Sequence, residues 1–553
     1  MSQHRKRPEK QEKRTRGLIA GAVAVTVAAG VGIGLWAGGD SEPAGSARPQ
    51  AQSPSAGGTE HSATPSKAPS PAPSPTRSYP LSTPPRTIPA VRAHTPARGP
   101  GWRPAPGRRV VVDDARLADE GRLLAGELGL TYAGRKGDVR AGEVRLSLDG
   151  GKGAGPESYR MTVRGGRVAI SGPSDAGVFY GTRTLKQEVH GGGTAPEGVV
   201  RDEPAKPVRG LMLDIARKPF TAGWIEDRVR ELGDLKYNEL GLHFSDDQGF
   251  RIESDSHPEI VSRTHLTKAQ VRKIIALAAQ RHITVVPEID SPGHLGAVIA
   301  AHPELQLRSA AGNAPQGTVD ISKPAAAEIV DDLLNEYAKL FPGADWHLGG
   351  DEYRALMVSS PAATYPQLAA AARKAYGPGG TVADLTTGWL NDRARTVRAH
   401  GRTPRAWNDG FFRGTSVQPD KDIQVGYWTG KEIGARPPEA YLSTGRKVVN
   451  YNDKLLYYVL GQPNQFYYPT GQRIYEEWTP RVLRGTTAVP AKYDDQILGG
   501  SFAVWGDFPN AQTQDQVAAG IRMPLRATAQ KLWDPGRPAL TWTRFKALAD
   551  RLS

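Results

Sequence analysis

The sequence predicts an α/β protein: a (β/α)8 TIM barrel preceded by a small α+β domain, with an N-terminal membrane or export segment and a disordered linker ahead of both. Three observations carry that expectation. Across residues 205–553, short apolar runs alternate with helix-period patterns until eight strands are counted, as in a parallel sheet with crossover helices. Residues 108–204 hold shorter β-rich runs broken by Gly and Asp. Residues 1–107 show almost no apolar periodicity, apart from one uncharged run at 17–39.

The N-terminal part carries much of the charge. Of the formal +14 of the chain, +9 lies in residues 1–107, which leaves 57 Lys and Arg against 52 Asp and Glu for the rest. That mild excess, without basic runs interleaved with aromatics, excludes nucleic acid from the expected partners. A basic flank at 5–16 precedes the run at 17–39, which contains Trp36. Such an order keeps the start of the chain in the cytoplasm and exports the remainder. The run is near the ~20 residues that span a bilayer, so an anchor in residues 1–39 is expected, with a cleaved signal as the alternative. The folded part is expected outside the cytoplasm. Residues 40–107, rich in Pro, Ser, Ala and Thr, cannot bury enough apolar surface to offset their ordering entropy and are expected to form an extended stalk. Cysteine is absent, which excludes disulfides, thiol nucleophiles and cysteine-ligated metals.

In the small domain, RVVVDD, GEVRLSLDG, YRMTVRGGRVAISG and GVVRDE are strand candidates, with a hairpin turning at Gly165 and Gly166. Leu117, Leu123, Leu124 and Leu128 recur near helical spacing, and a second helix is expected over 175–189 with Asp175 at its start. Packing, not chemistry, is expected of this domain.

The barrel strands are GLMLDIA, NELGLHF, ITVVPEID, DWHLGG, TPRAW, IQVGYW, KVVNY and ILGGSFAVW. Between them fall helices such as 325–341, where Ile329, Leu333, Tyr337 and Phe341 recur every fourth residue, and one capped by Thr267 that runs to His282. The loops after the strands of such a barrel converge on one mouth, and here the strand ends collect polar and aromatic residues. Asp246 and Asp247 follow the second strand, Glu288, Asp290 and His294 the third, and Asp351 and Glu352 the fourth. Trp407, Trp428, Tyr451 with Asp453, and Trp505 with Asp507 close the last four. Three tryptophans in such places suit the apolar faces of sugar rings. Asp351 and Glu352 are neighbours, so their side chains diverge and take different tasks. Gly349 and Gly350 before them permit a sharp turn or close backbone approach.

The string HLGGDE resembles the signature of glycoside hydrolase family 20, the β-N-acetylhexosaminidases. RGLMLDIAR, HFSDDQGFR, VVPEIDSPGH, the Tyr451-Asn452-Asp453 triplet and AVWGD match that family's motifs in order, over about residues 110–510. The resemblance implies that Glu352 is the general acid and base and that Asp351 orients the substrate's 2-acetamido group. It implies Tyr451 as donor to the acetamido carbonyl, and Trp407, Trp428 and Trp505 as walls around its methyl. Arg209 and Asp507 would bind the outer hydroxyls, Asp453 would be a further substrate contact, and Asp246 with His294 would stand behind Glu352 and tune it. The implied enzyme is exo-acting, removes terminal non-reducing N-acetylhexosamine residues and retains the anomeric configuration. The acetamido oxygen serves there in place of a protein nucleophile, with Asp351 ionised and Glu352 protonated at the outset. Its partners would be N-acetylglucosamine- or N-acetylgalactosamine-containing glycans, such as chitin-derived oligosaccharides, wall or host glycans. No cofactor and no metal are implied. Phe250 stands where the family usually has Trp, and Asp507 where Glu is commoner, which leaves the gluco or galacto preference open.

Three alternatives use the same residues. A lacto-N-biosidase-like enzyme would release a disaccharide and needs space beyond the 3-hydroxyl, where Arg209 is expected. A glycan-binding protein on this scaffold would retain the tryptophans and lose an acid. A metal hydrolase would draw on His347, Asp351 and Glu352 with His243 and His294, but these lack a helical His-x-x-x-His spacing.

Overall fold

Every one of the eight expected barrel strands forms in the computed structural model, which describes residues 78–553 apart from 136–139, 150, 152–153, 413, 415, 433–434, 464–465 and 553. The basic flank, the apolar run at 17–39 and most of the expected stalk lie outside the described residues. Among the described residues no helix is long and apolar enough to cross a membrane.

The small domain is a mixed sheet of β1 (Ala93–Pro96), β2 (Arg109–Val112), β3 (Thr131–Tyr132), β4 (Val144–Leu148), β5 (Tyr159–Arg164), β6 (Arg167–Gly172) and β7 (Gly198–Asp202), in the order β1-β7-β5-β6-β4-β2-β3. Period-two alternation puts Val144, Leu146, Met161, Val163, Val168 and Ile170 on one face. There α1 (Ala118–Leu128) and α2 (Asp175–Gly192) cover them. Gly165 and Gly166, at φ 57° and 68°, make the expected hairpin turn. Ser174, not Asp175, caps α2, its hydroxyl accepting from the Gly177 N–H.

Folded structure begins earlier than the expected boundary at 108. β1 pairs antiparallel with β7, and Trp102 is 1% exposed, its indole N–H donating to the Gly142 carbonyl. A Pro-rich stretch shows no strand periodicity, yet an edge strand needs hydrogen bonds to one neighbour only and tolerates Pro.

The barrel strands are β8 (Val208–Asp214), β9 (Glu239–His243), β12 (Thr284–Glu288), β13 (Asp345–His347), β14 (Thr403–Trp407), β15 (Gln424–Tyr427), β16 (Val448–Asn450) and β18 (Ile497–Trp505), closed by β16 pairing with β18. The hairpin of β10 (Ser245–Asp246) with β11 (Gly249–Phe250) follows β9, and Phe250 packs there on Phe244 and Tyr337 in the core. β17 (Tyr457–Val459) was not foreseen. It takes the place of β16 along the upper half of β18, pairing Tyr457 with Ala503 and Val459 with Trp505. Across the mouth end, Asp214, His243, Glu288 and His347 lie side by side in register and form one polar layer.

The two parts belong to one unit, residues 75–553, joined by buried charges at the other end of the strands. Arg209, expected at the sugar, is one of them. It is second in β8 and 1% exposed, and it donates to both oxygens of Glu157 at 2.9 and 2.7 Å and to the carbonyls of Lys206 and Lys236. Lys236 in turn meets Asp202 and the Tyr159 hydroxyl, with burial pulling its pKa down to about 8. Arg183 and Lys186 on α2 reach Asp234 at 3.1 and 2.9 Å.

Candidate active site

Past His347 the fourth strand carries Leu348, Gly349 and Gly350 over the rim of the barrel. Gly349 sits at φ 64°, and a Cβ there would lie 1.8 Å from Asp290 Oδ1, so only glycine fits. That approach lets the Gly350 N–H donate to Asp290 Oδ1 at 2.7 Å. Glu352 itself adopts φ 48°, an uncommon conformation for a residue with a side chain. Its N–H is held by Asp409 Oδ2 at 3.1 Å, while Asp409 Oδ1 accepts from the Trp428 indole at 2.8 Å. Asp409 thus ties the acid-bearing loop to one wall of the pocket.

His294 stands between the two acids. Its Nε2 is 3.5 Å from Asp351 Oδ2 and 3.4 Å from Glu352 Oε2, and its Nδ1 is 3.4 Å from Asp246 Oδ1. Burial opposes a charge on His294, but Asp246, Asp351 and Asp290 outweigh it and hold its pKa well above the usual value. Burial raises Asp351 well above the ordinary carboxylate range, and the neighbouring Asp290 adds to the effect. For Glu352 the hydrogen bond from His294 outweighs burial and lowers the pKa. The two shifts run against the order expected from sequence, Asp351 ionised and Glu352 protonated, since burial dominates at Asp351 and the hydrogen bond from His294 dominates at Glu352. Burial and the Asp351 charge push Asp409 up to about 8.

Beneath the acids, His243 links Asp246 at 2.7 Å to Glu288 at 3.2 Å, and Glu288 also receives the Trp407 indole at 2.7 Å and faces His347 at 3.3 Å. His243, Glu288 and Asp290 offer ligand atoms within 4.8 Å of one another, as do Asp290, His294 and Asp351. Most of these nitrogens and oxygens already face each other in ion pairs.

A cavity of about 110 Å³ opens at the mouth. Asp351, Glu352, Trp407, Trp428, Trp505 and Asp507 line it as the sequence led us to expect, together with His294, which was expected behind Glu352, and with Arg217, Tyr457, Val459, Glu432 and Phe466. Trp428 and Tyr457 lie parallel, 2° between planes and 5.8 Å between centroids, and Trp505 closes on both Tyr457 and Trp407. The Trp505 indole N–H finds no hydrogen-bond partner among the described residues. Tyr451 is behind Trp407, 1% exposed, its hydroxyl accepting from Arg405 at 3.3 Å. Asp453 is absent from the lining and pairs with Lys431 at 2.6 Å. Asp246 stands behind His294 and binds Arg217 at 2.8 Å.

The arginine of the pocket is thus Arg217, which also binds Asp214 at 3.0 Å and lies over the Trp505 ring at 5.5 Å. Both arginines stand in RGLMLDIAR, and only the position after the strand's C-terminal Asp214 separates the one at the mouth from the one at the base. Tyr457 had no readable signal, since its place depends on β17. Asp409 stood two residues after a pocket tryptophan, in the loop following a barrel strand, which is a usable one.

Residues 207–535 match the model of the glycosyl hydrolase family 20 catalytic domain, and residues 84–203 that of the same family's domain 2. A lacto-N-biosidase of Bifidobacterium bifidum is 30% identical over 478 residues, 85% of this chain and 42% of that protein. A β-N-acetylhexosaminidase of Cellulomonas fimi is 35% identical over 271 residues, 44% of this chain and 54% of that one. The chain spans about half the length of these curated relatives. Among solved structures, the β-N-acetylhexosaminidase of Streptomyces coelicolor A3(2) superposes with a TM-score of 0.68 at 26% identity, covering 85% of this chain and 95% of that one.

Proposed function

Because the chain belongs to glycosyl hydrolase family 20, we propose that it removes terminal N-acetylhexosamine residues from the non-reducing ends of glycans, by a retaining reaction in which the substrate's acetamido oxygen attacks the anomeric carbon. The observation that carries this is the pair Asp351 and Glu352 at the end of the fourth barrel strand, opening into a small pocket walled by Trp407, Trp428, Tyr457 and Trp505. Such a pocket admits one ring and stacks its apolar faces.

The reaction needs a proton on the leaving oxygen and an anion beside the acetamido nitrogen. An acetamido N–H donating to Asp351 stabilises its ionised form. A glycosidic oxygen at Glu352 takes the place of His294 there. Substrate binding itself then reverses the resting order of the two acids, and His294, within 3.5 Å of both, is the route for the proton. Water attacks the cyclised intermediate with Glu352 as base. Arg217 and Asp507 hold the outer hydroxyls, and the hydroxyl of Tyr457, in the pocket lining, donates to the acetamido carbonyl, since Tyr451 lies behind Trp407.

A second reading, release of a disaccharide, is supported by the match to a lacto-N-biosidase over most of this chain. The arginine that was expected to close the outer side is at the barrel base, although Arg217 stands in its stead. A panel of chromogenic monosaccharides and disaccharides separates the two.

Glu352→Gln tests the central assignment. It is expected to cost several orders of magnitude with a poor leaving group and far less with a nitrophenolate, which barely needs a proton; equal losses on both would remove Glu352 from the acid role. A thiazoline derived from N-acetylglucosamine is expected to inhibit tightly, as a mimic of the cyclised intermediate, and a fluoro-sugar adduct on Asp351 would instead establish a protein nucleophile. We further place the enzyme outside the cytoplasm, held by residues 17–39, which protease release of an active fragment from membranes would test.

A further inference from the structure

The face of the small-domain sheet away from α1 and α2 carries five exposed arginines and, among the described residues, no helix. Arg160 stands opposite Arg201 on β7 and Ser171 on β6, Arg164 opposite Arg167, and Arg145 opposite Ala169. Residues directly opposite share a face, so the five fall in adjacent rows, with only Ser147, Thr162, Ala169, Ser171 and Val199 between them. Arg145 is paired to Asp113 at 2.7 Å. For Arg160, Arg167 and Arg201 no ion pair or side-chain hydrogen bond is found among the described residues, and Arg164 faces only the charge of buried Glu197. Asp149 and Glu203 stand at one end of the face, where Arg160 and Arg201 edge a groove.

We infer that this face docks an anionic polysaccharide, a linear glycan bearing carboxylate, sulfate or phosphate groups. Three unpaired guanidiniums and that of Arg164, on a face that no helix among the described residues covers, complement a repeating anion. Arg160 and Arg164 are four residues apart on one strand, about 13 Å, so the charges follow an extended chain and do not converge on one small ion. A bilayer would require apolar groups to insert, and the exposed large apolar residues among the described ones are Leu81, Tyr467 and Phe508, none on these strands. Single-stranded nucleic acid would require aromatic platforms, and the face has none. The sheet is clamped to the barrel through Arg209 and Lys236, so a polymer held here stays on the same unit as the pocket. That last point rests on the glycosidase reading, whereas binding is measured without turnover, and the two fail separately.

The test titrates the full chain with fluorescein-labelled dextran sulfate and with uncharged dextran. The quadruple variant Arg160→Ser, Arg164→Ser, Arg167→Ser and Arg201→Ser is expected to bind dextran sulfate at least tenfold more weakly, with a shallower salt dependence as fewer counterions are released, while hydrolysis of a chromogenic monosaccharide stays within twofold. The hairpin-end pair Arg164→Ser and Arg167→Ser alone is expected to lose at least threefold. A control with Arg373, Lys374, Arg544 and Lys546 each changed to Ser removes four exposed charges elsewhere and is expected to bind as the wild type does. Equal loss in the control, no binding of dextran sulfate by the wild type, or tighter binding of single-stranded DNA or phosphatidylglycerol vesicles through the same arginines would overturn the inference.

Discussion

Asp409→Asn isolates the contact on which the acid-bearing loop depends. Above about pH 8, where it is ionised, the carboxylate accepts two buried N–H groups, from the Glu352 backbone at 3.1 Å and from the Trp428 indole at 2.8 Å. An amide has one oxygen to offer, so in either orientation its NH₂ meets a donor and one hydrogen bond is lost. Leaving a buried donor unsatisfied costs about 1–3 kcal/mol, and Glu352 already holds a left-handed backbone that this contact helps to retain. If the loss falls on the transition state, kcat/KM drops roughly 5- to 150-fold. The drop is expected to be larger for a poor leaving group than for a nitrophenolate, since a displaced Glu352 fails first as an acid. Trp428→Phe removes the other end of the tie, and in the Asp409→Asn background it is expected to add less than it costs alone. Steady-state kinetics of the four proteins on two substrates decide the matter. A single variant within twofold of wild type on both substrates, with additive effects in the cycle, would refute the coupling.

Three further expectations rest on the same geometry. Arg209→Met leaves Glu157 buried without its ion pair and is expected to lower stability by about 3 kcal/mol or more, with KM within twofold; a raised KM at an unchanged Tm would return Arg209 to the pocket. Burial holds Glu188 at about 7 in the folded state, above its unfolded value near 4.3, so stability falls as pH rises from about 4.5 to 7 and is level beyond. Glu188→Gln is expected to remove that slope, up to roughly 3 kcal/mol, and parallel denaturation profiles at pH 5 and 8 for both proteins would contradict it. Gly349→Ala forces a Cβ against Asp290 at positive φ, and an alanine enzyme with wild-type kinetics, where at least a tenfold loss is expected, would show that the close approach is dispensable.

By itself the sequence determined the barrel, its eight strands, the hairpin at Gly165 and Gly166, and the pocket membership of Asp351, Glu352 and three tryptophans. These depend on local periodicity and on the rule that strand ends face the mouth, both of which a linear pattern carries. Tertiary structure decided which of two arginines in one motif lines the pocket. Arg209 and Arg217 lie at opposite ends of the first barrel strand, and the difference is which layer each side chain enters. It also decided that β1 and Trp102 join the small domain, because an edge strand is recognised by its neighbour and not by its own composition. Tyr457 became visible only once β17 lay along β18, whereas Asp409 had a signal in its place two residues after Trp407, and the structure added its contact with the loop after β13. The opposite pKa shifts of the two acids arise in the same way. Burial depth and the distance to a shared histidine set it, and neither quantity exists until the chain has folded.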